Sequence, residues 1–87
     1  MYSKELVINN ETGLHARPAS LLVQLCNKFS SKVLLKREKE SDINAKNIIS
    51  ILSGGIYKGT KVLLQVEGED EALAGPKVAD FLENLSE

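Results

Sequence analysis

Cysteine and histidine each occur once in this 87-residue chain, and tryptophan is absent. A single thiol cannot close an internal disulfide, and with one histidine beside it neither a zinc-type cluster nor a redox pair can be assembled. Small domains without disulfides depend on a packed core and suit a reducing compartment, so a cytoplasmic protein is expected. Long apolar runs are also missing, which excludes a membrane-spanning helix. The segment Met1-Tyr2-Ser3-Lys4-Glu5 lacks the apolar block of a signal peptide. Neither sign of charge dominates, with 11 basic residues against 12 acidic ones and a formal charge of -1. Such a balance gives no field to hold a polyanion, and two Phe and two Tyr build no stacking platform, so nucleic acid is not an expected partner. A Gly-x-x-x-x-Gly-Lys nucleotide loop is absent too; Gly54, Gly55 and Gly59 read as a helix stop and a turn. No metal and no other cofactor is expected. The length leaves room for one core, and residues 1–87 are expected to form a single domain.

What is present is a clear alternation of hydrophobic periods. Leu6 and Ile8 mark a half-buried strand, and Asn9–Gly13 a turn. Ala19, Leu22, Val23, Cys26 and Phe29 recur at helical spacing over Ala16–Phe29. Val33 with Leu35, and Ile43 with Ala45, give two strands around a charged hairpin tip at Lys36–Asp42. Ile48, Ile51 and Leu52 form a short helix stopped by Gly54-Gly55, and Val62, Leu64 and Val66 a fourth strand. A last helix over Glu69–Leu85 opens on Glu69-Asp70-Glu71, acids that the helix dipole favours, and buries Ala74, Val78, Phe81, Leu82 and Leu85. The order βαββαβα is solved most simply by an α+β domain with a four-stranded antiparallel sheet and three helices on one face. Val7, Leu34 and Leu63 then point to the open face. Pro76 falls beyond the first turn of the last helix, where proline costs about 3 kcal/mol. The expectation is an interruption near Ala72–Pro76, either a bend or, preferably, a new helix beginning at Pro76.

The chemistry is concentrated in Thr12-Gly13-Leu14-His15-Ala16-Arg17-Pro18-Ala19. A lone histidine in a loop is ordinarily just solvated, but its neighbours here argue for more. Pro18 is tolerated in the first turn of a helix and hardly later, which sets the helix start at Ala16 and puts His15 at the N-cap. The imidazole then lies beside the backbone N–H groups of Ala16 and Arg17 at the positive end of the helix dipole, an anion-ready place. Arg17 adds a guanidinium whose planar fork suits phosphate oxygens. Together they can accept a phosphoryl group. Cys26, on the buried stripe of the same helix, reads as an inert core thiol.

The segment Gly13-Leu14-His15-Ala16-Arg17-Pro18-Ala19 resembles the phosphorylation site of HPr, the histidine-containing phosphocarrier of the bacterial phosphoenolpyruvate-dependent sugar phosphotransferase system. The resemblance runs on through Asn44-Ala45-Lys46-Asn47-Ile48-Ile49, Lys58-Gly59 and Glu67-Gly68-Glu69-Asp70-Glu71. It implies an open-faced β-sandwich and a carrier that is not itself an enzyme. Enzyme I, charged by phosphoenolpyruvate, would phosphorylate His15 at Nδ1, Arg17 would position the group, and the A domains of sugar-specific enzymes II would receive it. A monomer fits a carrier that must expose its acceptor.

Partner contacts are expected from Ser20, Leu21, Gln24 and Lys28 on the first helix and from Asn47, Ile48, Ile49 and Leu52 on the second. Many relatives carry a regulatory serine at the start of the second helix; here Asn47 stands there, with no hydroxyl to phosphorylate. Gly75-Pro76 and one extra hairpin residue are further departures. Two other readings stay open. One is a paralogue in a regulatory or nitrogen-type phosphotransferase chain; the other is an interaction module of the same fold without the relay.

Overall fold

Apolar residues alternating at period two, separated by stretches at helical period, fold into the expected order. A computed structural model of the chain describes residues 1–86. Strand β1 is Tyr2–Val7, helix α1 Ala16–Cys26, β2 Lys32–Lys36 and β3 Ile43–Asn44. Helix α2 is Ile48–Ser53, β4 Lys61–Glu67 and α3 Glu71–Glu83. The four strands form one antiparallel sheet in the order β1-β4-β2-β3. The register sets Leu6 opposite Val62, Leu64 opposite Leu35 and Val66 opposite Val33.

That register puts one apolar row under the helices. Leu6, Val33, Leu35, Val62, Leu64 and Val66 are buried together with Leu22 and Cys26 of α1, Ile51 of α2 and Ala74, Val78 and Leu82 of α3. On the other face Val7 is exposed and Leu34 and Leu63 are half-buried, as the alternation requires.

Three expectations about the helices are corrected. Helix α1 ends at Cys26, and Phe29 follows in a turn, its N–H donating to the Cys26 carbonyl at 3.2 Å while its side chain still packs on the core. Helix α3 begins at Glu71, so Glu69 lies outside it, and Asp70 at the N-cap makes no side-chain cap. The Asp70 carboxylate instead accepts from the Ser30 and Ser31 amides at 2.9 and 3.0 Å and from the Ser31 hydroxyl. This clamps the loop after α1 to the start of α3.

The third correction is that no new helix begins at Pro76: α3 is a single helix from Glu71 to Glu83 with Pro76 inside it. Pro76 and Ala72 are both exposed, so the carbonyl that loses its donor lies on the solvent side, where water can bond to it. Buried Ala74, Val78, Ala79 and Leu82 meanwhile hold both halves of the helix to the sheet. Gly75 does not serve as a joint. It is buried where a Cβ would run into the Tyr2 ring, and its bareness lets α3 seat on β1.

Candidate functional site

The segment entering α1 is built outward from buried Asn10. Its Nδ2 donates to the Gly13 carbonyl at 2.9 Å, while the Gly13 N–H donates to the Asn10 carbonyl at 3.2 Å. Gly13 has φ +64, and a Cβ there would run into the Ile56 carbonyl oxygen and come within 2.7 Å of the Tyr57 Cα. The absence of a side chain therefore lets two loops touch backbone to backbone. Leu14, buried, donates its N–H to the Ile56 carbonyl at 3.0 Å and fixes the contact.

His15 follows as the N-cap of α1, with extended backbone (φ -137, ψ 159) and no side-chain cap hydrogen bond. Its exposed imidazole is thus not consumed in capping. Ala16 adopts φ +50, a left-handed conformation that a residue with a Cβ rarely takes and that costs about 1–3 kcal/mol. Ala16 and Arg17 occupy the positions whose N–H groups have no intrahelical acceptor, and Pro18 brings no N–H. Buried Pro18, Ala19 and Leu22 seat this first turn on the core, so the strained start is held in place from below. The Arg17 side chain is exposed beside it.

His15 opens onto a depression of about 290 Å³. Thr12 and Leu14 line it from the entering segment, and Leu52, Gly55, Ile56 and Tyr57 from the end of α2 and the following turn. Of the expected partner-facing residues, Leu52 reaches this depression. Ser20, Leu21 and Gln24 are exposed on α1, as are Asn47, Ile48, Ile49 and Leu52 on and beside the neighbouring α2; Ile49 reaches 71%. Lys28 is exposed too but lies beyond Cys26, about three helical turns from His15, at the other end of α1. The N-cap of α2 is Asn47, whose Oδ1 accepts from the Ser50 N–H at 3.0 Å.

Gly55, Ile56 and Tyr57 were not among the residues expected at the site. Their placement depends on the loop contact made at Gly13, 43 or more residues away in sequence from the turn it meets, and no local period reports it. Cys26 is fully buried, and burial pushes its thiol up to about 12 against a small opposing pull from Lys46, so it takes no part in this chemistry. Among the described residues, no cluster of three or more His, Cys, Asp or Glu could hold a metal, and no helix is long and apolar enough to cross a membrane.

An open antiparallel sheet, covered on one face by three helices and presenting a histidine at a helix N-terminus, is an open-faced β-sandwich of the HPr type. Residues 2–84 match the family model described as the PTS HPr component phosphorylation site. The chain is 39% identical over 83 residues to the HPr-like protein Crh of Bacillus subtilis, covering 95% of this chain and 96% of that protein. Crh has also been solved as a dimer with a swapping domain (TM-score 0.76, 37% identity, 100% of this chain and 99% of that chain). HPr-C-His from Thermoanaerobacter tengcongensis superposes with TM-score 0.89 at 42% identity, covering 95% and 92% of the two chains. The phosphocarrier protein HPr from Bacillus anthracis does so with TM-score 0.85 at 31% identity, covering 93% and 95%. The chain belongs to the HPr family, the phosphocarriers of the phosphotransferase system.

Proposed function

We propose that this protein is a single-domain, cytoplasmic, monomeric carrier that accepts a phosphoryl group on His15 from phosphorylated enzyme I and delivers it to the A domains of sugar-specific enzymes II. The observation that carries the reading is the exposed imidazole of His15 at the N-cap of α1, not used in capping and facing the Leu52–Tyr57 depression. In the transfer, the lone pair of His15 Nδ1 attacks the phosphorus of the donor. The phosphorus–donor bond breaks and the donor keeps its electron pair. Charge gathers on the three equatorial oxygens, where the helix N-terminus and the Arg17 fork suit it. The chain supplies position and field and returns unchanged once the group has moved on, which is the role of a carrier rather than of an enzyme.

A regulatory role is the second reading, favoured by the 39% identity to Crh, a protein described as a catabolite repression HPr. Against the usual serine-based control stands Asn47 at the start of α2. Transfer of label from phosphoenolpyruvate through enzyme I to this protein, then onward to purified A domains, tests the relay. Label that reaches His15 but passes to no A domain would favour the regulatory reading. A sedimentation run at the same concentrations tests the monomer.

A further inference from the structure

Tyr57 is a large side chain left 69% exposed, in a turn that is otherwise fixed. Its N–H donates to Thr60 Oγ1 at 3.1 Å and its carbonyl accepts from the Thr60 N–H at 3.0 Å. The Thr60 carbonyl accepts in turn from the Ile8 N–H at 2.9 Å, and the Ile56 carbonyl is held by Leu14. The ring lies over Gly55, where a Cβ would sit 3.5 Å from it. Backbone contact at Gly13 then locks this turn against the segment that carries His15. The result is an aromatic ring carried on a fixed turn, in the wall of the depression onto which His15 opens.

In-line phosphoryl transfer brings the donor's phosphorus to bonding distance of His15, so the donor protein must cover that depression. An aromatic ring on a fixed turn has only two side-chain torsions to lose on being covered and gives up a large apolar face to the partner, as interface anchors do. Accepting His15 as the phosphoryl acceptor, we propose that Tyr57 is a specificity-determining contact for the phosphoryl-donor protein. Its ring is buried against the donor in the transfer complex and contributes to binding rather than to the chemical step.

The test is steady-state phosphorylation by enzyme I charged with phosphoenolpyruvate, with this protein as the varied substrate. Tyr57→Ala and Tyr57→Gln should each raise KM about tenfold and leave kcat within about twofold. Tyr57→Phe should match the parent, because the ring and not the hydroxyl makes the contact. Val7→Ser, on the open face of the sheet, should also match it. Unchanged KM in Tyr57→Ala and Tyr57→Gln would overturn the proposal while leaving His15 as acceptor, and so would a Phe variant as impaired as Ala. No label on the parent protein would overturn the His15 reading and this proposal with it.

Discussion

At its C-terminal end α1 is tied by side chains to two other parts of the chain, whereas its N-terminal end has no side-chain cap and starts on a left-handed residue. Asn27 caps the helix by donating its Nδ2 to the Val23 carbonyl at 3.0 Å and to Lys46 at 3.4 Å. Lys46 Nζ reaches the Phe29 carbonyl at 2.6 Å, bringing to the negative end of the dipole a cation that the last turn of α1 itself lacks. Asp70 then clamps Ser30 and Ser31. The N-terminal end has no acidic residue in its first turn and no side-chain cap, and it carries the left-handed Ala16. One end of the helix is closed by side chains from elsewhere in the fold; at the other the His15 side chain is left out of the capping, and packing of Pro18, Ala19 and Leu22 bears the strain of Ala16.

The contrast can be broken at either end. The largest effect is expected from Gly13→Ala, which puts a methyl group into the Ile56 carbonyl and a Cβ at φ +64. It should cost about 2–4 kcal/mol and lower phosphoryl transfer along with stability, because the two loops separate. A thermal melt matching the parent would show that the close approach is dispensable. Arg17→Ala should leave the melt unchanged and slow transfer by about 10–100-fold, the worth of a hydrogen bond to a charged group. Arg17→Lys should recover part of that, since charge returns without the fork. Equal transfer rates for Arg17→Ala and the parent would remove Arg17 from the site.

The opposite end should respond in the opposite sense. Asp70→Asn should lower stability and leave transfer untouched. The Ser31 hydroxyl, and then the Ser30 amide, hold the Asp70 carboxyl below its ordinary value. A carboxyl with a depressed folded value contributes stability that is fully present above its unfolded value of about 3.9 and is lost as pH falls through the lower folded one. Denaturant midpoints taken from neutral to acid pH should therefore fall less steeply in Asp70→Asn than in the parent. Parallel curves would detach Asp70 from the acid limb. The smallest effect is none at all: ATP and an HPr kinase/phosphorylase should leave the protein unmodified by mass spectrometry. Asn47 has no hydroxyl, and Ser50 is half-buried with its hydroxyl accepting from the Asn44 N–H at 2.9 Å. A stoichiometric phosphate on Ser50 or Ser53 would contradict this.

How much of this was legible in the sequence follows the range of the forces involved. Pro18 restricts only its own turn, and it placed the start of α1 and His15 at the cap correctly. Alternation at period two likewise identified Val7, Leu34 and Leu63 as the open-face residues. Pro76 misled as a helix start because its local cost was weighed without the tertiary contacts of Ala74, Val78, Ala79 and Leu82, which hold the chain on both sides of it in one helix. Of Glu69-Asp70-Glu71 only Glu71 sits in the first turn of α3, since the Asp70 side chain serves a loop 39 residues earlier in sequence rather than its own helix. Ile56 and Tyr57 went unseen at the site because a glycine's lack of a side chain, and not any periodic signal, brings them there.

The most direct measurement is labelling with radioactive phosphoenolpyruvate and enzyme I, comparing the parent protein with His15→Ala. The parent should take up one acid-labile phosphoryl group, as a phosphoramidate is, located at His15 by peptide mapping. His15→Ala should fold and take up none. Label that persists in His15→Ala, or that is acid-stable in the parent, would contradict the claim that the open end of α1 is where the phosphoryl group is held.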